Sequence, residues 1–316
     1  MIACRVGYSL CDVGHNTLLI RVARAPGDAA RVSGLRLLFS AGGVALLALV
    51  SGCSLSLAAP EAQRHAFASG AVFGALLYVG TLFGAMLATR NLAPPSVGTG
   101  GPRAIVPLRS YWRNAPFRRL LCVIAVQAAL VPLFQRALPF FGQAVLADAS
   151  WAGPALLTVT IAQSLALPGW MMLARRWTSR RIAMTAYGMT ILAMVGMTVM
   201  PIGLWGTGML TLLGVSMGGM NLAIWALLTE TVQQSMAAGT QEEGTPVGLF
   251  LAVLKGAAAA GNLLFGAIVA AGTVRLPGQN GTEVELVPLS ATILPVLGSV
   301  LALALLAMGS RRAPPA

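Results

Sequence analysis

The chain has 316 residues, of which 57% are hydrophobic and only 9% charged. A water-soluble domain carries roughly a quarter charged residues, so this composition excludes that class and fits a membrane protein. The formal net charge of +12 does not point to nucleic acid: the arginines lie between hydrophobic stretches, with no patch that interleaves them with aromatics. Cys4, Cys11, Cys53 and Cys122 sit in or beside apolar segments without a CxxC pair, as small hydrophobes do. The apolar start of the chain is interrupted by Asp12, His15 and Asn16 and lacks a cleavage site, which argues against a signal peptide.

In chain order, windows long enough to cross a bilayer predict about nine helices, over residues 3–22, 33–54, 69–89, 118–141, 153–174, 182–201, 206–229, 246–271 and 288–309. Turn chemistry separates them at Pro26-Gly27-Asp28, Pro94-Pro95, Gly100-Gly101-Pro102, Pro277-Gly278 and Asn280-Gly281. The longest polar stretch, residues 90–117, reads as a cytoplasmic linker. It divides a partial N-terminal bundle of three spans (1–89) from a C-terminal six-helix bundle (118–316). Two such six-helix halves make a common transporter architecture. Pro132 and Pro139 predict an interruption in the fourth span, with Arg136 near its outer end.

Arginine placement orients the chain. Loops on one side hold Arg21, Arg24, Arg31, Arg90, Arg103, Arg109, Arg113, Arg118, Arg119, Arg175, Arg176, Arg180, Arg181, Arg311 and Arg312; the other side holds Arg64 and Arg275 only. The expectation is a multi-pass protein of the inner (plasma) membrane with a cytoplasmic C-terminus. An odd number of spans with an outside start suggests helices missing upstream.

Asp12 is the most informative residue. A charge at the bilayer centre costs about 2.5–3.5 kcal/mol even on insertion scales, and such residues mark functional sites by default. Tyr8, Ser9, His15 and Asn16 crowd further polar groups around it. Arg36, about a turn inside the next span, has the reach to meet it. The pair either binds a polar solute or cation in the bundle interior or locks two helices together. Lys255 is a second embedded charge, either facing the same cavity as Asp12 or snorkelling to the interface. Glu230 ends a span on the side of Arg175, Arg176, Arg180 and Arg181; the two readings are a cytoplasmic clasp that gates a transport cycle and ordinary solvated charges. Met184, Met189, Met194, Met197 and Met200 read as packing residues rather than a copper site. Small residues at Gly214/Gly218, Gly256/Ala260 and Gly261/Gly266 permit close helix contact.

No enzyme signature is present. His15 and His65 have no partners at metal-ligand spacing, so no metal or other cofactor is expected. There is no phosphate-binding Gly-rich loop with its lysine and no nucleophile elbow. Uphill transport by this chain would therefore draw on an ion gradient.

The segment Tyr8-Ser9-Leu10-Cys11-Asp12-Val13-Gly14-His15-Asn16, followed by a basic loop and Gly34-Leu35-Arg36-Leu37-Leu38-Phe39-Ser40, resembles the fourth and fifth helices of the glycoside–pentoside–hexuronide cation symporters, the melibiose-permease-like branch of the major facilitator superfamily. Further blocks agree in order. Asn114-Ala115-Pro116-Phe117-Arg118 is similar to the start of the seventh helix, Leu167-Pro168-Gly169-Trp170 with the Arg-rich turn to the eighth, Trp225 to Glu230 to the end of the tenth, and Glu243-Gly244, Gly248-Leu249-Phe250 and Lys255-Gly256 to the eleventh.

The resemblance implies an all-α polytopic membrane protein of the major facilitator fold. Its function would be symport of a sugar or related polar solute with Na⁺ or H⁺ by alternating access, as a monomer in the lipid bilayer. Asp12 would bind sugar hydroxyls and couple them to the cation site, Ser9 would offer a hydroxyl to Na⁺ or sit near a proton site, and Arg36 would donate to the sugar. Lys255 would stand near the cation site. Asn16 falls where the family has a sugar-contacting aromatic. Glu230 and Gln233 stand where the family has two Asp, which implies a weaker clasp. The family's first three helices have no counterpart, so a misplaced start or a non-transporting remnant is one alternative expectation. A lysolipid-like cargo on the same fold is another.

Overall fold

The computed structural model describes residues 2–23, 28–55, 59–91, 111, 113–237, 244–275 and 283–308. Most of the 90–117 linker lies outside these residues, as do the Pro26-Gly27, Pro277-Gly278 and Asn280-Gly281 turns, Glu243, Arg24, Arg103, Arg109, Arg311 and Arg312. The architecture is all-α: α1 (Ile2–Val22), α2 (Asp28–Leu55), α3 (Pro60–Thr89), α4 (Ala115–Leu130), α5 (Leu133–Leu146), α6 (Ala152–Leu173), α7 (Ser179–Val199), α8 (Gly203–Ala237), α9 (Gly244–Ala271) and α10 (Leu286–Ala307). A short antiparallel pair, β1 (Thr273–Arg275) and β2 (Glu283–Glu285), joins α9 to α10 with Val274 opposite Val284. Gly272, with φ +65, supplies the left-handed residue that ends α9.

Among the described residues eight spans are long and apolar enough to cross a membrane, with α4 and α5 together forming one of them. α1 is not among the eight. It carries Arg5, Asp12, His15, Asn16 and Arg21, and these polar groups need partners inside the protein. Several helices outrun the apolar windows. α3 starts at Pro60, with proline in its first turn and Glu61 behind it, and α8 continues to Ala237. Hydropathy marks the part of a helix that lipid or core must cover, while backbone hydrogen bonding carries the helix on through polar turns. The break in the fourth span falls at Val131–Pro132, and Pro139 is absorbed inside α5.

The chain forms two compact units. One comprises residues 1–34 and 105–316, the other 35–104. In the first, α8 packs against α6 and α7, α10 against α7, α4 and α5, and α9 against α4; α1 lies on α9 and α8. Tyr187, Ile182, Met194 and Met197 of α7 and Leu213, Met220 and Leu222 of α8 are fully buried at the centre. Trp170 of α6 ties to α8 by donating from Nε1 to the Val215 carbonyl at 2.8 Å. The second unit holds α2 from Leu35 and α3, whose large apolar side chains, among them Phe73, Leu76 and Phe83, are exposed as lipid-facing residues are.

Candidate functional site

Asp12 and Asn16 stand one helical turn apart on α1, a spacing that puts both on one face. Asn16 uses it fully: its Nδ2 donates to Asp12 Oδ1 at 2.8 Å and to the Asp12 carbonyl at 2.6 Å. The other carboxylate oxygen, Oδ2, lies 2.9 Å from Lys255 Nζ on α9. The Asp12 side chain is 14% exposed and that of Lys255 45%. The carboxylate is thus held between a neutral donor and a cation, and the pair is open on the lysine side. Asn16 itself is 2% exposed, and its Oδ1 has no hydrogen-bond partner among the described residues.

The structure brings Asp12, Asn16 and Lys255 together. Arg36 belongs to the second unit, on α2, where it is half-buried. Tyr8 and Ser9 lie on α1 one turn before Asp12, with side chains outside the described residues. Asn16, read as a contact for solute, spends its amide hydrogens on Asp12.

The clasp at the arginine-rich end takes a different form from the one expected. Glu230 of α8 accepts from Ser179 Oγ at 2.6 Å. Ser179 opens α7, so its hydroxyl sits where α7 meets α8, while Arg175, Arg176 and Arg181 are exposed around the preceding turn. Arg180 donates from Nη2 to the Ala307 carbonyl at the end of α10, 3.2 Å away. Among the described residues none of these arginines makes an ion pair with Glu230. The tie between α1 and the six-helix bundle at this end is instead Gln233. Its Nε2 donates to the Ile20 carbonyl at 3.3 Å and to the Ala23 carbonyl. Carbonyls at a helix C-terminus lack intrahelical partners, and an amide side chain satisfies them. Arg136, expected near the outer end of its span, is half-buried on α5, with Nη1 shielded from solvent and without a partner among the described residues.

A buried polar relay escaped the sequence reading. Tyr187 Oη on α7 donates to Gln127 Oε1 on α4 at 2.5 Å, and Gln127 Nε2 donates to Asn221 Oδ1 on α8 at 3.2 Å. Nearby, Thr190 and Ser216 hydroxyls lie 2.9 Å apart. The available signal was a lone Gln in the apolar run of residues 120–133; buried amides of that kind are hydrogen-bonded.

Asp12 is thus a carboxylate paired across two helices, beside a set of apolar spans. The family described as MFS/sugar transport protein matches residues 1–309, nearly the whole chain. The chain belongs to this family. No curated protein matches it. As a major facilitator transporter it moves its cargo across a membrane through its helices. The Asp12–Lys255 pair joins α1 to α9.

Proposed function

We propose that this transporter carries a sugar or related polar solute together with Na⁺ or H⁺ by alternating access, in an inner membrane with its C-terminus in the cytoplasm. The observation that supports this reading is the 2.9 Å ion pair between Asp12 and Lys255. A lone charge in the membrane costs about 2.5–3.5 kcal/mol or more, so Asp12 needs a positive partner at every stage of a cycle. Lys255 fills that role here. A sodium ion or proton arriving at Asp12 would take it over and release Lys255, and the solute's hydroxyls would then find Asp12 and Asn16 rearranged to receive them. Tyr8 and Ser9 complete the proposed solute and cation site. Coupling follows because solute and cation act on the same carboxylate.

The test is uptake of a panel of labelled glycosides and pentoses into cells or proteoliposomes, with imposed Na⁺ or proton gradients. Gradient-driven uptake of at least one sugar is expected, and Asp12→Asn should abolish it with normal membrane expression. Gradient-driven uptake that persists in Asp12→Asn would discard Asp12 as the coupling group, and a panel with no transported member would discard the sugar.

A further inference from the structure

At the arginine-rich end, a cavity of about 220 Å³ opens between the ends of α4, α7, α8 and α10. The charged groups in its lining are Arg119, Arg180 and Glu230, beside the neutral Thr231 and Gln234, and its apolar wall includes Leu120, Leu227 and Leu305. Two cations and a carboxylate thus face one space, yet among the described residues no ion pair links them. Arg180 spends Nη2 on the Ala307 carbonyl, while its Nε is buried with no acceptor among the described residues. A buried guanidinium N–H without a partner is costly, and an anionic group held beside Arg180 would offer it an acceptor. Glu230 is bound by Ser179 through Oε1 alone.

A ligand that satisfies all three groups carries a phosphate for the arginines and a cation for Glu230. Arginine forks suit phosphate oxygens. That volume admits a headgroup and not a whole lipid. The remainder has a path. One and two turns back along α10 from Leu305, on nearly the same face, Leu301 and Leu297 are 49% and 48% exposed. They continue the apolar wall out of the cavity along a membrane-facing helix.

We infer that this cavity binds one zwitterionic phospholipid, with its phosphate between Arg119 and Arg180, its ammonium against Glu230, and an acyl chain along Leu305, Leu301 and Leu297. The site does not depend on which solute the transporter carries. The test uses the full chain, purified in mild detergent and stripped of lipid, with native mass spectrometry as readout. The probes are dioleoyl phosphatidylethanolamine, dioleoyl phosphatidylglycerol and inorganic phosphate, each added alone and in competition. Retention of one phosphatidylethanolamine per chain is expected, reduced about tenfold in Arg119→Gln and in Arg180→Gln. Glu230→Gln should erase the preference for phosphatidylethanolamine over phosphatidylglycerol, since it removes the ammonium's partner and leaves the arginines. Leu305→Trp, which fills the wall without altering charge, should also lower retention and keeps the test open if an arginine variant fails to fold. Equal retention by wild type and all four variants would overturn the site. Equal retention of both lipids by wild type would overturn the zwitterionic headgroup. Phosphate binding that is lost in Arg180→Gln and displaces the lipid would reassign the cavity to a soluble anion.

Discussion

Removing one member of the Asp12–Lys255 pair strands the other in a place where water cannot replace it. Breaking a buried pair from one side costs about 3–5 kcal/mol, whereas removing both charges is far milder. Because Lys255 is 45% exposed, the lower end of that range applies on its side. Lys255→Ala should therefore lower the melting temperature of the purified protein, and the double variant Asp12→Asn/Lys255→Ala should recover most of the loss. A double variant as unstable as the single one would mean that the two charges do not compensate each other. Tyr187→Phe makes a parallel case in the core. It leaves Gln127 Oε1 buried without its donor, at a cost of about 1–3 kcal/mol. A melting curve unchanged from wild type would count against the relay. Asp12 and Lys255 were legible because a charge in an apolar run is visible in one dimension. Their mutual contact was not: it joins positions far apart in sequence, and Arg36, only two dozen residues from Asp12, was the more obvious candidate. Tyr187, Gln127 and Asn221 carry no charge, and nothing in their local sequence says that three helices bring them together.

At the level of helices, the small residues divide into those that hold a contact and those that only look as if they do. A Cβ on Gly214 would meet the Val159 carbonyl and lie 2.7 Å from Ala162 Cβ, where α8 crosses α6; one on Gly261 would strike the backbone of Ala129 on α4. A Cβ on Gly256 meets nothing within 4 Å. Gly214→Val should therefore force α6 and α8 apart and destabilise by about 1–3 kcal/mol or more. Gly256→Ala should be neutral or gain up to about 1 kcal/mol from helix propensity. Thermal unfolding of both in the same detergent checks the contrast, and equal behaviour would show that the α6–α8 contact is not as close as the structure has it. The sequence exposes the small-xxx-small spacing but not the neighbour, since spacing fixes which residues share a face and leaves open what that face meets. The helix boundaries divide in the same way. Apolar windows located every span, yet α3 and α8 extend beyond theirs because Glu61 to His65 and Thr231 to Ala237 keep helical hydrogen bonding where hydrophobicity stops.

Across the whole molecule, the arginine-rich end is where α8 gathers its neighbours. Gln233 reaches the last carbonyls of α1, Ser235 accepts from Asn114 Nδ2 just before α4 at 3.1 Å, and Glu230 holds Ser179 of α7. These hydrogen bonds contribute about 0.5–1.5 kcal/mol net each where both partners are neutral and about 1.5–3 where one is charged, so the contact is a sum of small terms. The arginine excess that orients the chain is plain in the sequence, and it invites an ionic lock; the contact with α1 comes instead from an uncharged glutamine whose role depends on where α1 ends. Gln233→Leu leaves the Ile20 and Ala23 carbonyls without their donor and should let α1 swing from α8 at that end. Ala23 is 2% exposed, so a cysteine introduced there (Ala23→Cys) should react slowly with a membrane-impermeant maleimide and several-fold faster in the Gln233→Leu background. On the proposed orientation, which puts the arginine-rich loops in the cytoplasm, the faster labelling should be seen in inside-out vesicles and not in intact cells. Labelling from the outside would reverse the orientation. Labelling indifferent to Gln233 would mean that this amide does not hold α1 at that end, and the search for the contact that does would move along α1 toward Asp12.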